Sequence, residues 1–305
     1  MKKIATLMAA LMLMTAVFAG CSGTDNGSSS AAGESSTTSE SSVAEESSVA
    51  SETSETSEEA STTETGDYGE FTTIEEGKLI MSTNAQFPPY EMVADGEGFN
   101  GTGFEGIDVE IASAIADKLG LELQIDDMEF DSALLAVQNN TADVMLAGLS
   151  YSEERDEVVD FTTSYATGVQ VVIVKEGSDV TMDNLGEKMI GTQRGTTGYI
   201  YASDTPENGG YGEDHVQAYD NGATAVQALV NGQIDAVIID QAPAEEFVAA
   251  NDGLTILPGN WVEEQYCAAV DDGNEALLGA IDTALQELID DGTVQEILDK
   301  YITAE

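Results

Sequence analysis

The stretch QVVIVKEGSDVTMDNLGEKMIGTQRGTTG, residues 170–198, decides the fold. Its first five residues, Gln170 to Val174, read as a continuous apolar strand of the kind covered on both faces. A helix is predicted near Met182 to Leu185, a strand over Lys188 to Thr192 and a helix from Thr196. Upstream, the same alternation has already run once. Strand Lys78 to Thr83 leads to helix Ile107 to Leu119, with Ile107, Ile111 and Ile115 on one face, then to strand Glu122 to Met128, helix Asp131 to Gln138 and strand Ala142 to Ala147. Downstream come strand Val216 to Ala218, helix Ala223 to Val230 and strand Ala236 to Ile239. A β-α-β-α order that runs twice predicts an α/β protein of two lobes, each a helix-flanked sheet. The chain shows no repeat of 20 to 50 residues, which argues against a solenoid.

Composition narrows the function. Of 305 residues, 58 are acidic and 9 basic, a formal net charge of −49 that repels nucleic acid and anionic lipid head groups. One histidine (His215) and two cysteines (Cys21 and Cys267) are too few for a zinc cluster or a disulfide framework, so no metal and no cofactor is expected. Cys267 lies in an apolar run and reads as a buried thiol. The balance favours an acidic binding protein over a metalloenzyme.

The amino terminus, MKKIATLMAALMLMTAVFAGC, has two lysines and an apolar run from Ile4 to Ala19, short of the roughly 20 residues that span a bilayer, and reads as an export signal over residues 1–20. Phe18-Ala19-Gly20-Cys21 resembles the lipobox of bacterial lipoproteins, which implies a diacylglycerol-bearing Cys21 as the only hold on a membrane. Residues 22–66 hold 23 Ser or Thr and 10 Asp or Glu, with no Lys or Arg. Too little apolar surface is present to offset the entropy of ordering, so residues 21–66 are expected to be a disordered tether of roughly 35 to 40 Å root-mean-square span.

Four segments carry candidate chemistry. Asn84-Ala85-Gln86-Phe87-Pro88-Pro89-Tyr90-Glu91 follows the first strand, where two prolines fix a loop and present aromatic rings, although a plain proline turn is the simpler reading. In Gly103-Phe104-Glu105-Gly106-Ile107-Asp108-Val109-Glu110, the isoleucine is core and the two acids suit the positive end of a helix. In Asp143 to Arg155, a strand ends in Gly148, Leu149 and Ser150, Ser152 is placed to cap a turn, and Arg155 returns over the strand end with a planar fork suited to a carboxylate. In Gly191 to Gly198, a strand meets a Gly-Thr-Thr turn whose N–H groups and hydroxyls suit a small anion. Asp240, after an apolar strand, is either a helix N-cap or a partner for an ammonium group.

The segments FPPYE, GIDVEIA, ADVMLAGLSYSEERDEVVDF, GTQRGTTG and GQIDAVIID, in this order over about residues 78–302, resemble the extracellular solute-binding proteins of the polar amino acid family, receptors of ABC importers. The resemblance implies a type II periplasmic-binding-protein fold in which two crossover strands join a discontinuous first lobe (67–168 plus 266–305) to a second (169–265). It implies that Arg155 with Thr196 and Thr197 holds an α-carboxylate, that Ser150 and Gly148 give hydroxyl and backbone contacts, and that Asp240 holds the α-ammonium. Phe87 and Phe130 would line the side-chain pocket, with Asn84 and Gln193 as polar selectors. An amide at Asn84 and the absence of a second pocket base favour a neutral polar amino acid such as glutamine or cystine. A monomer facing outward and delivering to an ABC permease is expected. The alternatives are a cyclohexadienyl or arogenate dehydratase on the same fold, with Asp240 or Glu91 as its acid, and a ligand-sensing ectodomain.

Overall fold

A computed structural model of the protein describes residues 68–302. The segment expected to be an export signal, Cys21 and the expected tether lie outside the described residues.

Strand β1 (Lys78–Thr83) is followed by β2 (Gln86–Phe87), β3 (Glu91–Val93) and β4 (Phe104–Glu105), which pair as a small antiparallel sheet. Helix α1 (Ile107–Leu119) comes next and ends at Gly120, whose φ of 70° suits a residue without a side chain. Strand β5 (Glu122–Asp127), helix α2 (Phe130–Gln138), β6 (Val144–Met145) and β7 (Val159–Phe161) follow. Both β5 and β6 run parallel to β1.

The chain then crosses on β8 (Ala166–Lys175) into a second sheet. There it forms β9 (Ile190–Gln193), α3 (Thr197–Ser203), β10 (Val216–Tyr219), α4 (Gly222–Val230), β11 (Ala236–Asp240), α5 (Gln241–Ala250) and β12 (Leu254–Ile256). Strand β13 (Val262–Tyr266) runs back antiparallel to β8. Last come β14 (Ala269–Asp271), α6 (Glu275–Asp290) and α7 (Thr293–Tyr301). The first sheet has the order β5-β1-β6-β14-β7, the second β10-β9-β11-β8-β12 with β13 also on β8.

The apolar periodicities read from the sequence become these packings. Leu277, Ile281, Leu285 and Leu288 are buried along α6, which packs on α1 of the first lobe. Val172, Ile190 and Ile238 fill one face of the second sheet. The carboxyl-terminal segment is two helices, α6 and α7, because Gly292 takes a left-handed φ of 88° between them. Met182–Glu187 is a 3-10 turn, and the strand expected over Ala142 to Ala147 keeps only Val144 and Met145 in register. Beyond them the backbone bends at Gly148, with φ 52°, toward the space between the lobes.

Candidate functional site

Strands of both sheets end at one cleft, as ligand sites of open α/β sheets do. From the first lobe, Asn84 and Phe87 follow β1, Phe130 opens α2, Gly148 and Ser150 follow β6, and Arg155 opens the turn before β7. From the second, Gln193 ends β9, Thr196 and Thr197 start α3, and Asp240 ends β11. All ten residues singled out from the sequence border this one cavity, together with Ala147 and Glu91. The cavity has a volume of about 330 Å³. Hydrogen bonds cross from lobe to lobe, Arg155 to the Gly195 carbonyl and Gln193 to Asn84, so the lobes are closed on each other.

Arg155 is 5% exposed, and its guanidinium sits 5.5 Å from the centre of the Phe130 ring, a cation–π contact. Nη1 donates to the Ser150 carbonyl at 2.6 Å, and Nη2 reaches the Gly195 carbonyl of the other lobe at 2.8 Å. Ser152 Oγ accepts from the Arg155 backbone N–H at 3.2 Å, but the N-cap of the short 3-10 helix Arg155–Glu157 is Glu154, so Ser152 is not the helix cap the sequence suggested. Loss of hydration pulls the Arg155 pKa down, and the nearby Glu264 carboxylate opposes that shift. The other arginine, Arg194, has a side chain 56% exposed beside Asp220.

Asn84 and Gln193 hold each other across the cleft, Gln193 Nε2 donating to Asn84 Oδ1 at 2.9 Å, while Asn84 Nδ2 donates to the Met128 carbonyl. Thr196 caps α3, its Oγ1 accepting from the Tyr199 N–H and donating to the Gln193 carbonyl at 2.8 Å. The N–H of Gly148 is spent on Asp108 Oδ2 at 2.7 Å, so Gly148 offers the cavity only its carbonyl.

Asp240 occupies the N-cap of α5 but makes no side-chain cap bond. Its carboxylate instead accepts from Gln170 Nε2 at 2.8 Å and from the Tyr266 hydroxyl. Burial pushes its pKa up to about 7. Asp108 and Glu110 stand in the first turn of α1, as read from the sequence, and both are buried there. Asp108 accepts from Gly148 and from the Tyr165 hydroxyl at 2.9 Å, and Glu110 is held by Lys300 and Tyr301.

Three residues at or just behind the cavity were not read from the sequence as binding residues. Glu91, weighed only as a possible acid, is fully buried beside Asp108; burial and then the charge of Asp108 raise its pKa well above the usual range. Its carboxyl lies against that of Asp108, the two sharing a hydrogen bond. Gln170 was signalled as the one amide in an apolar strand. Glu264 is 7% exposed on β13, and only the two-residue alternation shared with buried Tyr266 distinguishes it from Glu263.

A closed cavity between two sheets joined by β8 and β13, with a guanidinium contributed by one lobe and a carboxylate by the other, defines a two-lobed binding protein of the type II periplasmic fold. The chain belongs to the bacterial extracellular solute-binding proteins, family 3, whose model matches residues 79–304. It is 32% identical over 232 residues to the arginine-binding extracellular protein ArtP of Bacillus subtilis (strain 168), covering 75% of this chain and 87% of that one. Against the L-cystine-binding protein TcyJ of Escherichia coli (strain K12) the identity is 31% over 235 residues, covering 76% and 85%. A crystal structure of the P235GK mutant of ArgBP from T. maritima superposes with a TM-score of 0.66 at 35% identity, covering 75% of this chain and 96% of that one.

Proposed function

We propose that the protein captures a free amino acid between its lobes and delivers it to an ABC permease, acting as a monomeric binding protein without chemistry of its own. The observation that carries this reading is the opposed pair of buried charged groups on one cavity, Arg155 from the first lobe and Asp240 from the second. A zwitterion satisfies both: its carboxylate meets a guanidinium fork and its ammonium an acid. The backbone N–H groups of the Thr196-Thr197 turn at the start of α3 support the carboxylate end, Ser150 and Gly148 add a hydroxyl and a carbonyl, and Phe87 and Phe130 wall the side chain. The cystine- and arginine-binding names of the relatives accord with an amino acid ligand.

For the side chain, the Asn84–Gln193 amide pair supports a neutral polar group, glutamine or cystine first. A cationic side chain is the second reading, favoured by Glu91, whose buried carboxyl borders the cavity. A thermal-shift and calorimetric screen of the chain against all free amino acids tests both. Arginine or lysine binding at least tenfold tighter than every neutral amino acid would overturn the first choice, and no binding by any amino acid would overturn the function. Turnover of prephenate or arogenate to an aromatic product would instead make it an enzyme.

The anchor at Cys21 and the tether to residue 66 complete the proposal, with the binding domain facing outward from the membrane. Among the described residues no helix is long and apolar enough to cross a membrane. Cys21→Ser is expected to release the protein from the membrane fraction, and mass spectrometry showing an unmodified Cys21 in the mature native protein would contradict it.

A further inference from the structure

Strand β13 carries Glu264 along β8, opposite Gly168, just before the chain returns to the first lobe. One oxygen of this carboxylate, Oε2, receives three donors: Ser150 Oγ at 3.2 Å, Thr197 Oγ1 at 2.9 Å and Gln170 Nε2 at 2.9 Å. Ser150 comes from the first lobe and Thr197 from the second, and both border the cavity. A hydroxyl has one proton to give, and Oε2 is the acceptor in all three bonds. With both protons spent on Glu264, the two hydroxyls have only lone pairs left for the cavity. The amide of Gln170 that binds Glu264 also binds Asp240, so the acceptors form one connected group.

On the reading of the cavity as an amino acid site, we propose that Glu264 is a positioning residue that fixes the polarity of Ser150 and Thr197, making both hydroxyls acceptors for the ligand's ammonium group. The ligand's carboxylate then depends on Arg155 and not on these hydroxyls. Glu264 thereby adds to the discrimination between an amino acid and the carboxylic acid that lacks only its α-ammonium group. In Glu264→Gln, the carboxamide N–H groups can donate to the hydroxyl oxygens, which frees their protons for the cavity and erodes that discrimination.

The test is titration calorimetry of the full-length chain with the tightest-binding L-amino acid of the screen and its deaminated counterpart, glutaramate in the case of L-glutamine. Glu264→Gln is expected to lower the affinity ratio of the pair by about tenfold or more. Ser150→Ala is expected to weaken the amino acid by about tenfold and leave the deaminated acid unchanged, which keeps the test decisive should Glu264→Gln fail to fold. An unchanged ratio in the folded variants overturns the proposal and leaves amino acid capture standing. If the wild-type chain binds no amino acid at all, both fall together.

Discussion

Arg155 is held by contacts on three sides, to the Ser150 carbonyl, the Gly195 carbonyl and the Phe130 ring. Its removal takes the partner from a desolvated carboxylate, so Arg155→Ala is expected to weaken amino acid binding by about 2 to 5 kcal/mol, about 30-fold or more. Calorimetric affinities equal to those of the parent would remove Arg155 from the site. Asp240 supports a prediction in pH. Its carboxyl, like that of Asp108, is pushed by burial from 3.8 to about 7. Between those values the native state keeps protons that the unfolded chain has released. The stability these two groups contribute is therefore full below about pH 4 and is lost as pH rises through about 7. An ammonium ligand favours ionised Asp240, so binding at about pH 6 should release a proton and binding well above pH 7 should not. Titrations in buffers of different ionisation enthalpy measure that proton directly; equal release at both pH values would contradict the assignment.

At the scale of elements, the turn after β6 places Ala147, Gly148 and Ser150 at the cavity. Gly148 has a φ of 52°, and a Cβ there would lie 2.7 Å from the Phe87 ring. Gly148→Ala is expected to cost about 1 to 2 kcal/mol of stability from the backbone alone and to weaken binding by displacing Phe87, as read by thermal unfolding and calorimetry. Wild-type values in both would show that the turn tolerates a side chain. This turn also shows how far the sequence could be read. Strands that end in Gly-Leu-Ser or Gly-Thr-Thr advertise themselves, because small polar residues after an apolar run have little other use, and Arg155 stood out as one of two arginines in the chain. The buried acids were harder to see. Asp108, Glu91 and Glu264 sit among 58 acidic residues, and only the packing of α1 against the loop after β6, or the register of β13 on β8, turns them inward. The cross-cleft bond between Asn84 and Gln193 joins residues 109 apart and has no local signature.

For the whole molecule, both lobes supply groups to one cavity, and a ligand that bridges them favours the closed form over the open one. Small-angle scattering should show a smaller radius of gyration at saturating ligand, and an unchanged radius would count against closure. The sheet orders carry a consequence for biogenesis. Every strand of the second sheet lies between residues 166 and 266, whereas β14 must slot between β6 and β7, about a hundred residues upstream of it. A chain emerging amino terminus first can thus complete its inserted lobe while the outer one still has a gap at its middle. Closing that gap joins distant segments, which is the slow kind of assembly. Until β14 arrives, β6 and β7 present unpaired edges, and the window between those two events is when a newly made chain is most exposed to proteases and to other copies of itself.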